Sequence, residues 1–393
     1  MLRIIVFVAV IGSYLLGAPA RAEDELFASM RLRGGYDSNP LFSTGGGRGT
    51  GDIGSAFIGT EVGLIAAGKQ DDITWNATAE ANGTRYIAPG IDPALVAKLG
   101  LRGIMGDDSL RVISTTSFVD INTYNTHSTD LVQSVKVETI QDKIKWFVTG
   151  EVGVSRLNQT NVILQDFLPI PLQFMRGAII PGVSVITSKG EVGVSVNLSM
   201  RRYAEELDLF GFRRDNERIQ PFMFGRYESG DIALFAAVSQ LYGIWHDIDF
   251  TNVNTTLFDA SLTWRPKPFT LELAAIRRAG ETTFPISPIT IDTLMTAKGS
   301  WQVNDKWLLT AAAGYTSSVY LDSPYKATTI TYGLGAVRDI GNGYKLGFDV
   351  TRITGTLLND EKAQGYIVAS SLSKSFVPTA TKPKGDLIAK PSL

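Results

Sequence analysis

The chain has 393 residues, 19% of them charged, and a formal net charge of −2, a balance that argues against a polyanion-binding protein of the nucleic-acid type. It contains no Cys, which removes disulfides, thiolate catalysis and Cys-based metal sites together. Thirty-nine Gly and a mean hydropathy near zero, with apolar residues spread in twos rather than long runs, suit strands with one face in lipid and one in water.

Residues 1–22 carry Met1-Leu2-Arg3, an apolar run over 4–16 and Ala20-Arg21-Ala22: the n-region, h-region and small-x-small cleavage site of an export signal. That run is too short to span a bilayer as a helix, and no later stretch approaches ~20 continuous apolar residues. Eighteen short stretches then read as strands, separated by gaps that alternate long and short. The gap 37–53 is long and Gly-rich, 69–72 tight, 88–92 long, 106–109 tight, 122–128 long, 141–143 tight, 158–174 long and 188–189 tight. Gly230-Asp231, Pro266-Lys267, Asn304-Asp305 and 341–343 are later tight turns. This rhythm predicts an all-β fold over 23–376: a transmembrane up-and-down antiparallel β-barrel of about 18 strands with long extracellular loops, short periplasmic turns and both termini periplasmic. Residues 377–393, with three Pro and three Lys, read as a flexible periplasmic tail.

Period-two alternation assigns the faces. Ile73, Trp75, Ala77, Ala79 and Ala81 oppose Thr74, Asn76, Thr78 and Glu80; Val192, Val194, Val196, Leu198 and Met200 oppose Gly193, Ser195, Asn197, Ser199 and Arg201. The polar faces are small, hydroxylic and punctuated by charge, which suits a wall lining water. Trp75, Trp146, Trp264, Trp301 and Trp307 each fall on an apolar face near a tight turn, as an indole girdle at the level of outer-membrane lipid headgroups would. Tyr86, Tyr203, Tyr242, Tyr315 and Tyr320 form a looser second girdle toward the long loops. Arg202, Arg277 and Arg338 land on apolar faces near strand ends, where they can snorkel. The stretch 218–228, with Pro221 and two Phe, has no assignable faces.

The inward set comprises Arg31, Arg33, Lys98, Arg102, Arg111, Lys136, Arg201, Arg265, Arg278, Lys298 and Lys345, against Glu61, Glu80, Glu138, Glu151, Asp259, Glu272 and Asp349. These residues line the expected pore or pair across neighbouring strands to keep the wall hydrated. In the loop 158–174, Ile163, Leu164, Phe167, Leu168, Ile170 and Leu172 are too apolar to stand in water, so the loop is expected to fold into the barrel mouth as a constriction, or to cap the rim or touch a partner.

Catalytic and metal chemistry find little support. The Gly-rich run 45–51 lacks Gly-Lys-Ser/Thr and a following helix, so it is a loop and not a phosphate cradle. The two histidines, His127 and His246, both fall in expected long loops, and Asp247, adjacent to His246, points to the opposite side of an extended chain. Asp247, Asp249 and Asn252 lack the spacing of a dedicated calcium loop. No cofactor, metal or enzymatic activity is expected.

Two terminal features carry resemblances. The last strand, with Tyr366, Val368, Leu372 and Phe376 at one parity, resembles the C-terminal signal by which assembly machinery recognises outer-membrane barrels, although seventeen residues follow it here. The segment Met30-Arg-Leu-Arg-Gly-Gly-Tyr-Asp-Ser-Asn-Pro40 resembles the first strand and loop of outer-membrane β-barrel porins associated with exopolysaccharide loci. That resemblance implies an outer-membrane location and a role in secreting or organising surface polysaccharide, and it brings no catalytic residue. Three classes of function remain: a passive channel, either a diffusion porin for small hydrophilic solutes or an export port for polysaccharide; a closed scaffold whose loops bind glycan or a partner; and, least supported, a rim enzyme. Aromatic rails in the lumen would mark a sugar path, and a continuous Arg/Lys track an export port for acidic glycan.

Overall fold

The computed structural model describes residues 25–42, 54–70, 72–107, 109–123, 126–159, 170–284, 287–358 and 360–376. The export signal, the run 45–51, the tail 377–393 and the stretch 160–169 lie outside them. Among the described residues there are eighteen strands and no helix. In chain order they are β1 (Glu25–Asp37), β2 (Ser55–Gln70), β3 (Ile73–Tyr86), β4 (Ala94–Gly106), β5 (Arg111–Thr123), β6 (Thr126–Gln141), β7 (Ile144–Gln159), β8 (Leu172–Thr187) and β9 (Gly190–Tyr203). Then come β10 (Asn216–Ser229), β11 (Ile232–Trp245), β12 (Val253–Trp264), β13 (Phe269–Glu281), β14 (Ile289–Asn304), β15 (Trp307–Tyr320), β16 (Lys326–Gly341), β17 (Tyr344–Thr356) and β18 (Lys362–Phe376). Each strand pairs antiparallel with its sequence neighbours, and β1 pairs with β18 from Ala28↔Phe376 to Asp37↔Ile367. The sheet is therefore a closed up-and-down barrel without an edge. With strands ~4.8 Å apart and tilted about 40°, its backbone radius is roughly 18 Å.

The tight-turn rim follows the sequence. Two-residue hairpin turns need a left-handed residue, supplied by Asp142 (φ 57°) and Gly230 (φ 57°). At another turn Asp107 accepts hydrogen bonds from the Ser109 hydroxyl (2.6 Å) and amide (2.8 Å), which lower its carboxyl pKa. The opposite rim departs from expectation once: the 122–128 gap is not long, because β5 and β6 pair as far as Thr123↔Thr126. His127 is accordingly a strand residue, not a loop residue, 3.5 Å from Asp120.

Inside and outside are fixed by contacts between strands that are not neighbours, which can only run through the interior. Tyr203 on β9 and Arg218 on β10 both reach Glu281 on β13, so their parity faces inward. The other parity carries exposed large apolar side chains such as Leu32, Val152, Met175, Val192, Met223 and Leu334. Trp75, Trp146, Trp264, Trp301 and Trp307 share that outer parity close to the tight turns, Trp301 stacking on Phe269 at 5.9 Å. The second aromatic girdle is only partly there. Tyr86, Tyr203 and Tyr320 turn inward, because the first two hydroxyls find carboxylates, Asp37 at 3.0 Å and Glu281 at 2.7 Å, and the third ring packs edge-on against Phe284.

One hairpin leaves the wall. β13 pairs with β12 over only seven positions, ending at Phe258↔Arg277, whereas it stays paired with β14 up to Glu281↔Ile289. Above Phe258 the β13–β14 hairpin separates from β12 and leans into the interior. Ile289 and Ile291, on the parity that faces outward lower down, pack against Leu241, Trp245, Val253 and Leu257 of the inner wall of β11 and β12. Arg277 consequently does not snorkel outside but donates inward to the Thr255 hydroxyl at 3.3 Å.

A closed ladder has no free edge from which to unravel in detergent. Unheated protein should therefore migrate differently from boiled protein on a denaturing gel. Identical migration of the two, with a helical circular-dichroism spectrum, would contradict the barrel.

Candidate constriction and inner wall

Glu281, the last residue of β13, is the centre of the inward fold. Its carboxylate accepts hydrogen bonds from Arg218 (2.6 Å) and the Tyr203 hydroxyl (2.7 Å), with Arg201 Nε also 2.6 Å away. Arg218 is 4% exposed and Glu281 10%, so this is a nearly desolvated ion cluster. The following turn is held by Arg214, whose guanidinium donates to the Thr282, Phe284 and Ser287 carbonyls at 3.3 Å each and to Asp208 at 2.8 Å. The Ile170 amide, at the end of the β7–β8 loop, donates to the Thr283 carbonyl at 3.1 Å. On the other flank Phe284 packs edge-on against Tyr320 and Tyr325. The hairpin tip thus spans the interior sector bounded by β8 and β15, near the long-loop rim.

The inner parity of the hairpin, with Arg278 and Asp292 in register, faces the space that remains. Of the apolar residues expected to constrict the mouth, Ile163, Leu164, Phe167 and Leu168 lie outside the described residues. Ile170 and Leu172 are buried at 3% each in an inward cluster with Phe174, Leu157 and Tyr203.

The charged residues read as inward from sequence form mostly paired rows. Arg31 meets Glu61 at 3.5 Å, Arg33 reaches across β18 to Asp349 at 2.5 Å, and Arg111 and Lys136 converge on Glu138 at 3.2 and 2.7 Å. Glu151 meets Arg176 at 3.3 Å and Lys298 lies 3.9 Å from Glu272. Glu80 and Lys98 are register partners, Arg102 opposes Asn76, Asp259 lies between Ala237 and Ile276, and Lys345 opposes Asp339. Arg265 is not on the wall, because β12 ends at Trp264 and residue 265 enters the turn.

Sequence parity alone would have added Arg176, Lys145 and Asp130 to this set. Arg218, Arg226, Phe222 and Phe224 were hidden in the unassigned strand. There Pro221 faces out, between Ile219 and Met223, and both Phe face in. Between β13 and β14 the sequence carries Phe284, Pro285, Ile286 and Pro288, the same apolar, proline-bearing signal as the β7–β8 loop.

The histidine and acidic loop residues are absorbed by structure. His246 Nε2 lies 2.5 Å from Glu217, Asp247 accepts from the Arg213 amide at 2.5 Å, and Asn252 accepts from the Trp245 amide at 3.3 Å. Among the described residues no group of three or more His, Cys, Asp or Glu could hold a metal ion. Tyr36 and Asp37 end β1 and residues 38–40 turn away from it: Asp37 accepts from the Asn39 amide, and Asn39 donates to the Gln364 carbonyl, tying β1 to β18.

No protein-family model matches the chain, and no curated protein matches it. Among solved structures it is similar to the outer membrane protein OpdK from Pseudomonas aeruginosa at 7% identity and a TM-score of 0.46, covering 90% of this chain and 99% of that one. It is also similar to a BenF-like porin from Pseudomonas fluorescens, at 8% identity and TM-score 0.47 over 90% and 99% of the two chains. OccAB3 from Acinetobacter baumannii gives 7% identity and TM-score 0.46 over 91% and 100%. With TM-scores below 0.5, fold and function rest on the strand register and side chains described above.

Replacing Glu281 by Ala leaves Arg201 and Arg218 without their shared carboxylate, at a cost of about 3–5 kcal/mol to the docked hairpin. Backbone amides of β13 and β14 above Phe258 should then exchange hydrogen faster while those of β2–β5 stay protected. Equal protection in both regions would show that the cluster does not hold the hairpin.

Proposed function

We propose that the chain is a passive channel of the bacterial outer membrane, with a polar inner wall narrowed by the β13–β14 hairpin, for small hydrophilic solutes. The observation that carries this reading is the pairing of two opposed faces on one closed ladder: an outer face of exposed Val, Leu, Ile and Met bordered by indoles, and an inner face of charge pairs and hydroxyls. Only a lipid surround gives the outer face a favourable environment, and only water gives one to the inner face. The hairpin supports a size limit, because it occupies one sector of the mouth and leaves Arg278 and Asp292 at its free side. Polysaccharide export remains the version of this channel with a larger cargo. The paired, mixed-sign wall favours diffusion of small solutes over passage of an acidic chain, for which an unpaired cationic track would be expected.

Two measurements test it. Val152, at mid-length of β7 and 62% exposed, should cost roughly 2–4 kcal/mol of stability in lipid when changed to Arg. A cost near zero would place that face in water. In planar bilayers the wild type should give discrete current steps, and replacing residues 282–288 by a short Gly-Ser turn should enlarge them. Unchanged steps would contradict the constriction, and no current from the wild type would overturn the channel in favour of a closed scaffold.

A further inference from the structure

Phe147, Phe222 and Phe224 stand at inward positions of β7 and β10, toward the tight-turn rim and away from the hairpin's contacts at Arg218. Phe147 lies beside Phe224 at 6.2 Å between centroids, and Phe224 beside Phe222 at 6.1 Å. Glycines on the intervening strands seat two of these rings. A Cβ on Gly182 would come within 2.3 Å of the Phe147 ring, and one on Gly193 within 2.6 Å of the Phe224 ring. Each of the two rings therefore has one side pressed into the wall where β8 and β9 carry no side chain. All three Phe remain only half-buried, so apolar ring surface faces the lumen.

That surface is framed by polar groups. Lys136 Nζ stands 4.7 Å from the Phe147 centroid, Gln220 donates to the Ser239 hydroxyl at 2.8 Å beside Phe222, and the Lys145–Glu191 pair (2.5 Å) lies at the foot of the patch. A ligand suited to this wall has a flat apolar side and a hydroxylated edge. A pyranose ring has both, its axial C–H bonds meeting aromatic faces while its hydroxyls bond to amide, ammonium and carboxylate groups. A purely apolar solute would strip water from these polar groups and return no hydrogen bond to them, and a small ion would not use the rings.

We propose that Phe147, Phe222 and Phe224 form a glycan-binding subsite inside the lumen, on which the sugar rings of a passing oligosaccharide stack. This deepens the channel reading and rests on it for access to the lumen, but binding itself is measurable without current.

The test uses the full chain with maltohexaose as probe. In planar bilayers maltohexaose should interrupt the wild-type current, a polyethylene glycol of similar size should do so less, and F147A/F224A should lower the sugar's binding constant at least tenfold. The outward-facing variant F258A should behave as wild type. Titration calorimetry of the detergent-solubilised barrel should show the same loss. Heat-dependent gel mobility checks that each variant is folded; the single variants F147A and F224A serve if the double variant does not fold. Equal sugar binding by wild type and folded variant, or blocking no stronger than by polyethylene glycol, would overturn the subsite. An absence of current together with Phe-dependent heat of binding would overturn the channel and leave the subsite standing.

Discussion

Closure of the hydrogen-bond ladder between β1 and β18 is the constraint on which the rest depends. Once every strand has two neighbours, the backbone N–H and C=O groups pair along most of the wall, and what is left to the sequence is mainly what it places on the two faces. Period two then separates the chain into an outer apolar surface and an inner polar one. The charges inside pair along and between strands, so the wall is hydrated and stiff where no apolar cluster covers it.

The β13–β14 hairpin is the place where the ladder gives way. Above Phe258 it exchanges its pairing with β12 for side-chain packing on the inner wall. Two kinds of interaction compensate: burial of Ile289 and Ile291 against Leu241, Val253 and Leu257, and the desolvated cluster of Glu281 with Arg201, Arg218 and Tyr203. The apolar part drives docking without specifying a position. The ion cluster fixes one position, since a carboxylate displaced from two buried guanidiniums would leave all three charges uncompensated. Arg214, bonded to three carbonyls of the turn, extends the same logic to the backbone.

Most of the barrel was legible because its cause is local. Turn residues and alternation set strand number and facing, and outward indoles near tight turns followed from the same register. What could not be read has a physical reason as well. An apolar stripe that faces lipid and one that faces the inner wall have the same period, so Ile289 and Ile291 look lipid-facing until the hairpin is seen to bend. The counter-signal lay on the other partner: Leu241, Trp245, Val253 and Leu257 make the upper inner face of β11 and β12 apolar, and an apolar lumen wall requires a cover. In β10 the obstacle was Pro221 with two Phe. The proline, lacking an N–H, interrupts the pairing with β11 between Ile219↔Tyr242 and Phe222↔Ser239, and the rings invert the usual polar-inside pattern. The inward tyrosines Tyr86 and Tyr203 were misjudged because a phenol satisfies a lumen carboxylate as well as a lipid headgroup.

The central claim is that a hairpin belonging to β13 and β14 crosses the interior to meet the entrance of β8. Because the chain has no native Cys, a pair of cysteines introduced at positions 170 and 283, whose backbones are joined by a 3.1 Å hydrogen bond, reports on that contact alone. Mild oxidation of the folded barrel should cross-link the pair, visible as an internal fragment retained after proteolysis between the two sites and released by reduction. Two free thiols in a folded, oxidised sample would contradict the inward fold.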